Sequence, residues 1–327
     1  MHLIIGGSGF IGTRLSKRLE RANTPFQIVD KAKSNTYPEL TQICDIRERE
    51  RLLGIDTNAD VIINLAAEHR DDVRPKSLYD EVNVMGSQHV CDLAEAKGIN
   101  KIIFTSSVAV YGFAERGTDE NGKINPFNDY GRTKYEAELI YKKWQAKDPA
   151  NRTLVIVRPT VVFGEQNRGN VYNLLKQIAS GKFVMIGNGQ NRKSMAYVEN
   201  VAAFLEFSNS MTSGVHTYNY IDKPDFDMNS LVKRVKKALG KEEKVGARIP
   251  YWIGMLAGYA FDLLAKLSGK NLPISSIRIQ KFCKDSIYNT SLESTEFKAP
   301  VDLQSAIDST INFEFVLDND GEVFYSE

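Results

Sequence analysis

Cysteine and histidine are scarce in this chain, and neither clusters. Its 327 residues hold three cysteines and four histidines. Cys44, Cys91 and Cys283 are scattered and form no Cys-x-x-Cys pair, so they predict reduced thiols in a cytoplasmic protein rather than a disulfide framework or zinc site. The histidines lack ligand spacing, which argues against a metal centre. An excess of one charge is also missing. Lys and Arg number 42 against 41 Asp and Glu, and a net charge of +1 is too small to make nucleic acid the main partner. A local basic pocket for a small diphosphate remains compatible with that balance. No run approaches the roughly 18 uncharged apolar residues of a membrane span. The apolar opening gives way to glycine at Gly6, too soon for the core of a secretion signal. No internal repeat or low-complexity tract is present.

Apolar residues are plentiful instead, at 42% against 25% charged, enough for a sizeable core. Short Ile/Val-rich runs at Leu3–Ile5, Phe26–Val29, Val61–Leu65, Ile102–Thr105 and Leu154–Val157 show little alternation. This is the pattern of strands buried on both faces of a parallel sheet. Helical stretches about Ile11–Ala22, Leu78–Lys97 and Arg132–Gln145 separate them, which predicts an α/β, Rossmann-type, doubly wound sheet. After Pro159 loops lengthen and helical patterns follow at Asn170–Ser180 and Met228–Leu239, with one more strand at His216–Tyr220. The expected division is a dinucleotide-binding domain over 1–165, rejoined by 197–222, and a smaller C-terminal substrate lobe over 166–196 and 223–327.

The opening, Leu3-Ile4-Ile5-Gly6-Gly7-Ser8-Gly9-Phe10-Ile11-Gly12, runs from a strand through glycines into a helix. Gly6 permits a tight turn, Gly9 a close approach to a pyrophosphate, and Gly12 close helix–sheet contact. The helix start offers unpaired N–H groups to phosphate. Asp30, closing the second strand, suits a ribose 2′-hydroxyl and would repel a 2′-phosphate, which favours NAD over NADP. Lys31, Lys33 and Arg14 work against that preference. Asp45-Ile46 follows another short strand and reads either as an adenine contact or as a helix cap before Arg47. Asn64-Leu65-Ala66-Ala67 ends a strand with small residues across which a cofactor can lie.

Tyr130-Gly131-Arg132-Thr133-Lys134 places a phenol and an ammonium on one helix face. A lysine cation and an oxidised nicotinamide both favour phenolate, drawing a group with an ordinary pKa of about 10 toward use as a base. Ser107-Val108, in the run Ser106 to Gly112, ends a strand at the edge where open α/β sheets bind ligands.

These motifs together resemble the extended short-chain dehydrogenase/reductase family of nucleotide-sugar epimerases and dehydratases. The resemblance covers about residues 1–220. It rests on Gly6/Gly9/Gly12, Asp30, Asn64–Ala67, Thr105–Ser107 with Tyr111-Gly112, Tyr130 with Lys134, and Arg158-Pro159 with Phe163-Gly164. It implies Ser107, Tyr130 and Lys134 as catalytic groups, Asn83 bridging to Lys134 through water, Pro159 beside the cofactor, and Asn170 on the substrate. A narrower resemblance, over nearly the whole chain, is to bacterial 4-epimerases acting on a polyprenyl-diphosphate-linked N-acetylglucosamine. It rests on Ala66–Val73, Arg168–Ile178, Lys193–Val198 and Gly254 through Cys283. Where many family members carry Arg-Asp-Phe, this chain has Lys193-Ser194-Met195, so the substrate diphosphate falls to Lys193, Arg192 or Arg278. Val108-Ala109 replaces the acidic pair a dehydratase needs. The implied reaction is epimerisation through a transient 4-keto sugar with bound NAD. A soluble UDP-sugar 4-epimerase or related oxidoreductase is the alternative, and a non-catalytic NAD sensor is disfavoured by the intact triad.

Pro250 to Leu267 is aromatic and aliphatic on most sides. It reads either as a core helix of the small lobe or as an interfacial helix, with Trp252 and Tyr259 at a bilayer boundary and Arg248, Lys266 and Lys270 toward lipid phosphates. The second reading implies a peripheral protein on the cytoplasmic face of the inner membrane. His69, among charged residues past a strand end, fits a substrate contact or a solvated loop equally. Asp318–Glu322 reads as a solvated acidic turn. A homodimer is left open.

Overall fold

A computed structural model describes residues 1–70, 73–268, 272, 275–319 and 321–325. Its strands are β1 (His2–Ile5), β2 (Phe26–Asp30), β3 (Thr41–Ile43), β4 (Val61–Asn64), β5 (Lys101–Thr105), β6 (Thr153–Pro159), β7 (Val161–Phe163), β8 (Met185–Ile186), β9 (Arg192–Tyr197), β10 (Gly214–Tyr220), β11 (Asp222–Asp227) and β12 (Arg248–Ile249). Seven of them form one sheet in the order β3-β2-β1-β4-β5-β6-β10, parallel throughout. The strand order reverses between β1 and β4, which opens a crevice at their carboxyl ends.

Alternate strand residues serve opposite faces, so a strand buried on both sides needs apolar residues throughout. Ile62, Ile102 and Ile156 face one core with Leu52, Val90, Ala137 and Trp144 from the helices α2 (Arg49–Leu53), α4 (Gly86–Lys97) and α5 (Asp129–Ala146). Their neighbours Ile63, Ile103 and Val155 face the other with Leu15 and Leu19 of α1 (Phe10–Arg21) and Phe204 and Leu205 of α7 (Val198–Phe207). The expected Leu78–Lys97 helix is continuous but changes pitch: α3 (Ser77–Tyr79) passes into a π-helical stretch, Asp80–Met85, before α4.

A further apolar cluster packs α6 (Asn170–Ala179), α8 (Met228–Ala238) and α11 (Leu303–Phe315) against a second sheet, β11-β9-β7. Two details cross the expected boundary. Val161–Phe163, read as part of the first domain, pairs with β9 of the small sheet, and Leu292 and Phe297 return to pack beneath the main sheet. Apolar side chains on an irregular segment carry no periodicity, so their destination was not legible.

The segment with two readings forms helix α9 (Tyr251–Ser268) and is not a core helix. Only Gly254 and Gly258 are buried; they sit against Ile186 and against Ser276 and Ile279 of α10 (Ser276–Cys283). Trp252, Leu256, Tyr259, Leu263 and Leu267, spaced by three or four residues, form an exposed stripe.

Candidate active site

The glycine loop shows what a bound dinucleotide would meet. Gly6 has φ +79°, and a Cβ there would lie 2.5 Å from the backbone nitrogen of Ala66, so no other residue fits. Gly9 differs: the nearest atom to a Cβ would be the Gly6 oxygen at 3.5 Å, so nothing within the protein demands glycine. The open side belongs to the crevice, as a closely approaching pyrophosphate requires. Gly9 also begins α1 without a side-chain cap, and Phe10, Ile11 and Gly12 form its first turn. Those N–H groups therefore remain available to an anion. Asp30 accepts from the Ser8 N–H at 3.0 Å and the Ala32 N–H at 3.1 Å, which ties the carboxylate to the glycine loop.

Across the crevice, Leu65, Ala66 and Ala67 follow β4. The Leu65 N–H donates to Ile5 O at 2.8 Å, and the Ala66 N–H to Asn64 Oδ1 at 3.1 Å. Asn83 lies on the π-helical stretch. Its amide donates to Glu68 O and Thr133 Oγ1 at 2.9 and 3.0 Å and accepts from the Glu68 N–H at 2.8 Å. Its visible work is thus to pin the loop after β4 to α5. Asp45 forms no cap on α2. It accepts from the Arg47 backbone at 3.0 Å and pairs with the Arg47 guanidinium at 2.8 Å, and that guanidinium holds the carboxyl below its ordinary range. Ile46 is buried against Gly86, and Pro159 ends β6.

Ser107 follows β5 with extended backbone, and its Oγ accepts from the Ala109 N–H at 3.1 Å. Tyr130 enters from the first turn of α5 beside Ser107, whose side chain acts to lower the phenol's pKa. The approach depends on Gly131, where a Cβ would fall 2.4 Å from the Ala109 oxygen. One turn later Lys134 is buried, donates to Thr105 O at 2.7 Å and lies 4.6 Å from the Phe104 ring centre. Burial pushes the Tyr130 phenol up to about 12, against the pull of Ser107. Burial likewise lowers Lys134 to about 7, opposed by the Glu138 charge. The lowered tyrosine expected from the lysine is therefore not a property of the protein groups alone, because desolvation outweighs the lowering by Ser107.

Beneath this trio lies a buried network in which the sequence pointed to Ser106, Tyr111 and Arg158 only as family signatures and to Glu138 and Asn219 not at all. Arg158 and Glu138 pair at 2.6 Å. Ser106 Oγ donates to Glu138 at 2.5 Å, Arg158 donates to the Tyr111 hydroxyl at 2.6 Å, and that hydroxyl donates to Asn219 at 2.8 Å. The ends of β5, β6 and β10 and the middle of α5 are thereby fixed around Ser107.

The residues expected on the substrate diphosphate are spread out. Lys193 turns inward and donates to the carbonyls of Lys281 and Lys284 at 2.8 and 2.5 Å, capping the end of α10; burial lowers it to about 8. Arg192, Arg278 and Asn170 are exposed. Val108 packs with Tyr111 and Tyr288 beside Ser107. His69 is engaged by a neighbouring group, and Asp71, Asp72 and Lys270, part of the sequence motifs above, lie outside the described residues.

A crevice at a strand-order reversal, an uncapped glycine-rich helix start and a Ser–Tyr–Lys cluster define a dinucleotide-dependent α/β enzyme class. Residues 2–219 match the model of the NAD dependent epimerase/dehydratase family, and the chain belongs to that family. NAD is the cofactor of this family, and the loop geometry accommodates it. The chain is 49% identical over 318 residues, 96% of its length and 95% of the relative's, to the N-acetyl-alpha-D-glucosaminyl-diphospho-ditrans,octacis-undecaprenol 4-epimerase of Escherichia coli O157:H7. It is 27% identical to the UDP-glucose 4-epimerase of Vibrio cholerae, covering 94% of this chain and 93% of that one. Its fold matches the UDP-glucose 4-epimerase of Bifidobacterium longum, solved with NAD+ and UDP, at a TM-score of 0.72 and 18% identity over 95% of this chain and 97% of the other.

Proposed function

We propose that this chain is an NAD-dependent 4-epimerase that interconverts GlcNAc and GalNAc on a polyprenyl diphosphate carrier, for surface polysaccharide synthesis. The carrying observation is the Ser107–Tyr130–Lys134 cluster at the sheet edge, in a chain so similar along its length to a relative named for that substrate. Asp30 makes NAD the preferred dinucleotide. When bound, NAD supplies a reversible hydride acceptor and a positive charge that favours the Tyr130 phenolate. Tyr130 removes the proton of the sugar 4-hydroxyl and later restores it. Ser107 holds the reacting oxygen, and Lys134 fixes the tyrosine and cofactor positions. Epimerisation requires the 4-keto sugar to turn in the pocket before reduction on its other face.

A polyprenyl chain leaves a bilayer at a cost of about 0.8 kcal/mol per exposed CH₂, so the enzyme must come to the lipid. No helix among the described residues is long and apolar enough to cross a membrane. The exposed α9 stripe, with Arg248 before it and Lys266 in its last turn, has the composition of a helix lying in the interface. We place it against the cytoplasmic face of the inner membrane.

The substrate reading is tested by incubating the protein separately with GlcNAc-diphospho-polyprenol and UDP-GlcNAc, then resolving the released sugars. Faster appearance of GalNAc from the lipid-linked sugar is expected. Equal or faster conversion of UDP-GlcNAc would move the function to the soluble nucleotide sugar.

A further inference from the structure

A cavity of about 990 Å³ lies where the strand pair β8–β12 meets the start of α9 and the end of α10. Two cations stand in its wall, Arg248 and Lys284, and among the described residues no carboxylate lines it. Arg248 donates to neutral acceptors, Asn188 O and Asn229 Oδ1, both at 2.7 Å. Lys284 lies 4.8 Å from the Phe113 ring centre. Neither is ion-paired among the described residues. Ile186, Ile249 and Tyr251 supply apolar wall, and Tyr251 begins the exposed α9 stripe. The cavity thus joins unpaired positive charge to an apolar surface leading outward.

It also connects to the chemistry. The chain leaving Lys284 makes parallel bridges at Ser286 with Lys193 and at Tyr288 with Thr118. Tyr288 packs with Val108 and Tyr111, just past Ser107. Four residues of extended chain reach at most about 14 Å, a span a sugar diphosphate can bridge. Lys193, the sequence-based candidate for the phosphates, spends its ammonium on the carbonyls that hold Lys284 in place.

We infer that this cavity is the subsite for the diphosphate and first isoprene units of the carrier, with Arg248 and Lys284 on the phosphate oxygens and the prenyl chain leaving along Tyr251 toward the α9 face. The inference rests on the lipid-linked reading above and assigns it a route through the molecule. Cations beside neutral acceptors favour a dianionic group strongly, since no carboxylate among the described residues of the wall competes. The aliphatic wall beyond them suits an isoprenoid.

Cys283 lines the same cavity and is partly exposed, whereas Cys44 and Cys91 are buried, so the thiol reports on occupancy. The full chain with NAD is treated with N-ethylmaleimide, and modification of Cys283 is followed by mass spectrometry with farnesyl diphosphate, farnesol or UDP present. Farnesyl diphosphate should protect Cys283, with farnesol and UDP protecting at least ten-fold less well. Arg248→Gln with Lys284→Gln should raise the concentration for half-protection at least ten-fold. Should that variant fail to fold, the three-ligand comparison on the unsubstituted protein decides alone. Unprotected Cys283 at saturating farnesyl diphosphate, or equal protection by UDP, overturns the subsite. If the same preparation still epimerises the lipid-linked sugar, only the subsite falls. If it turns over UDP-GlcNAc alone, the substrate reading falls with it.

Discussion

Lys134 Nζ hydrogen-bonds the carbonyl oxygen of Thr105 at 2.7 Å, tying the helix that carries Tyr130 to the end of the strand that leads into Ser107. The lysine is therefore a structural strut one helical turn from the active phenol. This arrangement separates two effects that substitution can resolve.

Tyr130→Phe keeps the ring and removes the ionisable oxygen. Folding and NAD binding should survive, while turnover falls by about two or more orders of magnitude. Steady-state rates with circular dichroism and bound-NAD content check this. Near-normal turnover would take Tyr130 out of the mechanism.

Lys134 gives a pH signature in stability. Burial lowers it to about 7 from an ordinary 10.5, so between those values the unfolded chain holds a proton that the folded chain lacks. Stability then rises with pH across that window: the deficit is full below about pH 7 and gone above about 10.5. Lys134→Met, measured on protein stripped of dinucleotide, should therefore gain most over the unsubstituted protein near pH 6 and progressively less toward pH 10. A difference in melting temperature that ignores pH would contradict the burial.

The Arg158–Glu138 pair predicts a large stability effect at a position with no contact to solvent. Glu138→Ala strands a buried guanidinium and leaves Ser106 without its acceptor. The expected loss is about 3–5 kcal/mol by urea unfolding. A loss under about 1 kcal/mol would mean that water or a rearranged carbonyl replaces the carboxylate.

These residues also mark what the sequence could reveal. The glycine loop, Asp30 and the buried strands were legible because tight turns and two-sided burial restrict residue type at fixed spacing. Tyr130 and Lys134 were legible because helical spacing puts them on one face. Gly131 was not, since its need comes from the Ala109 carbonyl, a contact across the fold. Lys193 had the right charge, but its partners are two carbonyls some ninety residues away. For α9 the composition fitted two environments, and only the packing of Gly254 and Gly258 decided which side it shows.

The α9 stripe predicts vesicle binding. Trp252 and Leu263 are 63% and 58% exposed, so Trp252→Glu with Leu263→Glu should leave the fold intact. The unsubstituted protein should sediment with anionic vesicles and the double variant should remain in the supernatant. An unsubstituted protein that ignores vesicles but forms a dimer lost in the variant would assign this face to a second copy.

The most direct test of the account follows one hydrogen. GlcNAc-diphospho-polyprenol carrying deuterium at C4 is converted in ordinary water, and the released GalNAc is examined by mass spectrometry and NMR. If the hydrogen leaves C4 for bound cofactor and returns to the other face of the same carbon, the GalNAc keeps its deuterium at C4. GalNAc with the label exchanged for solvent hydrogen, or no GalNAc at all, would contradict the account.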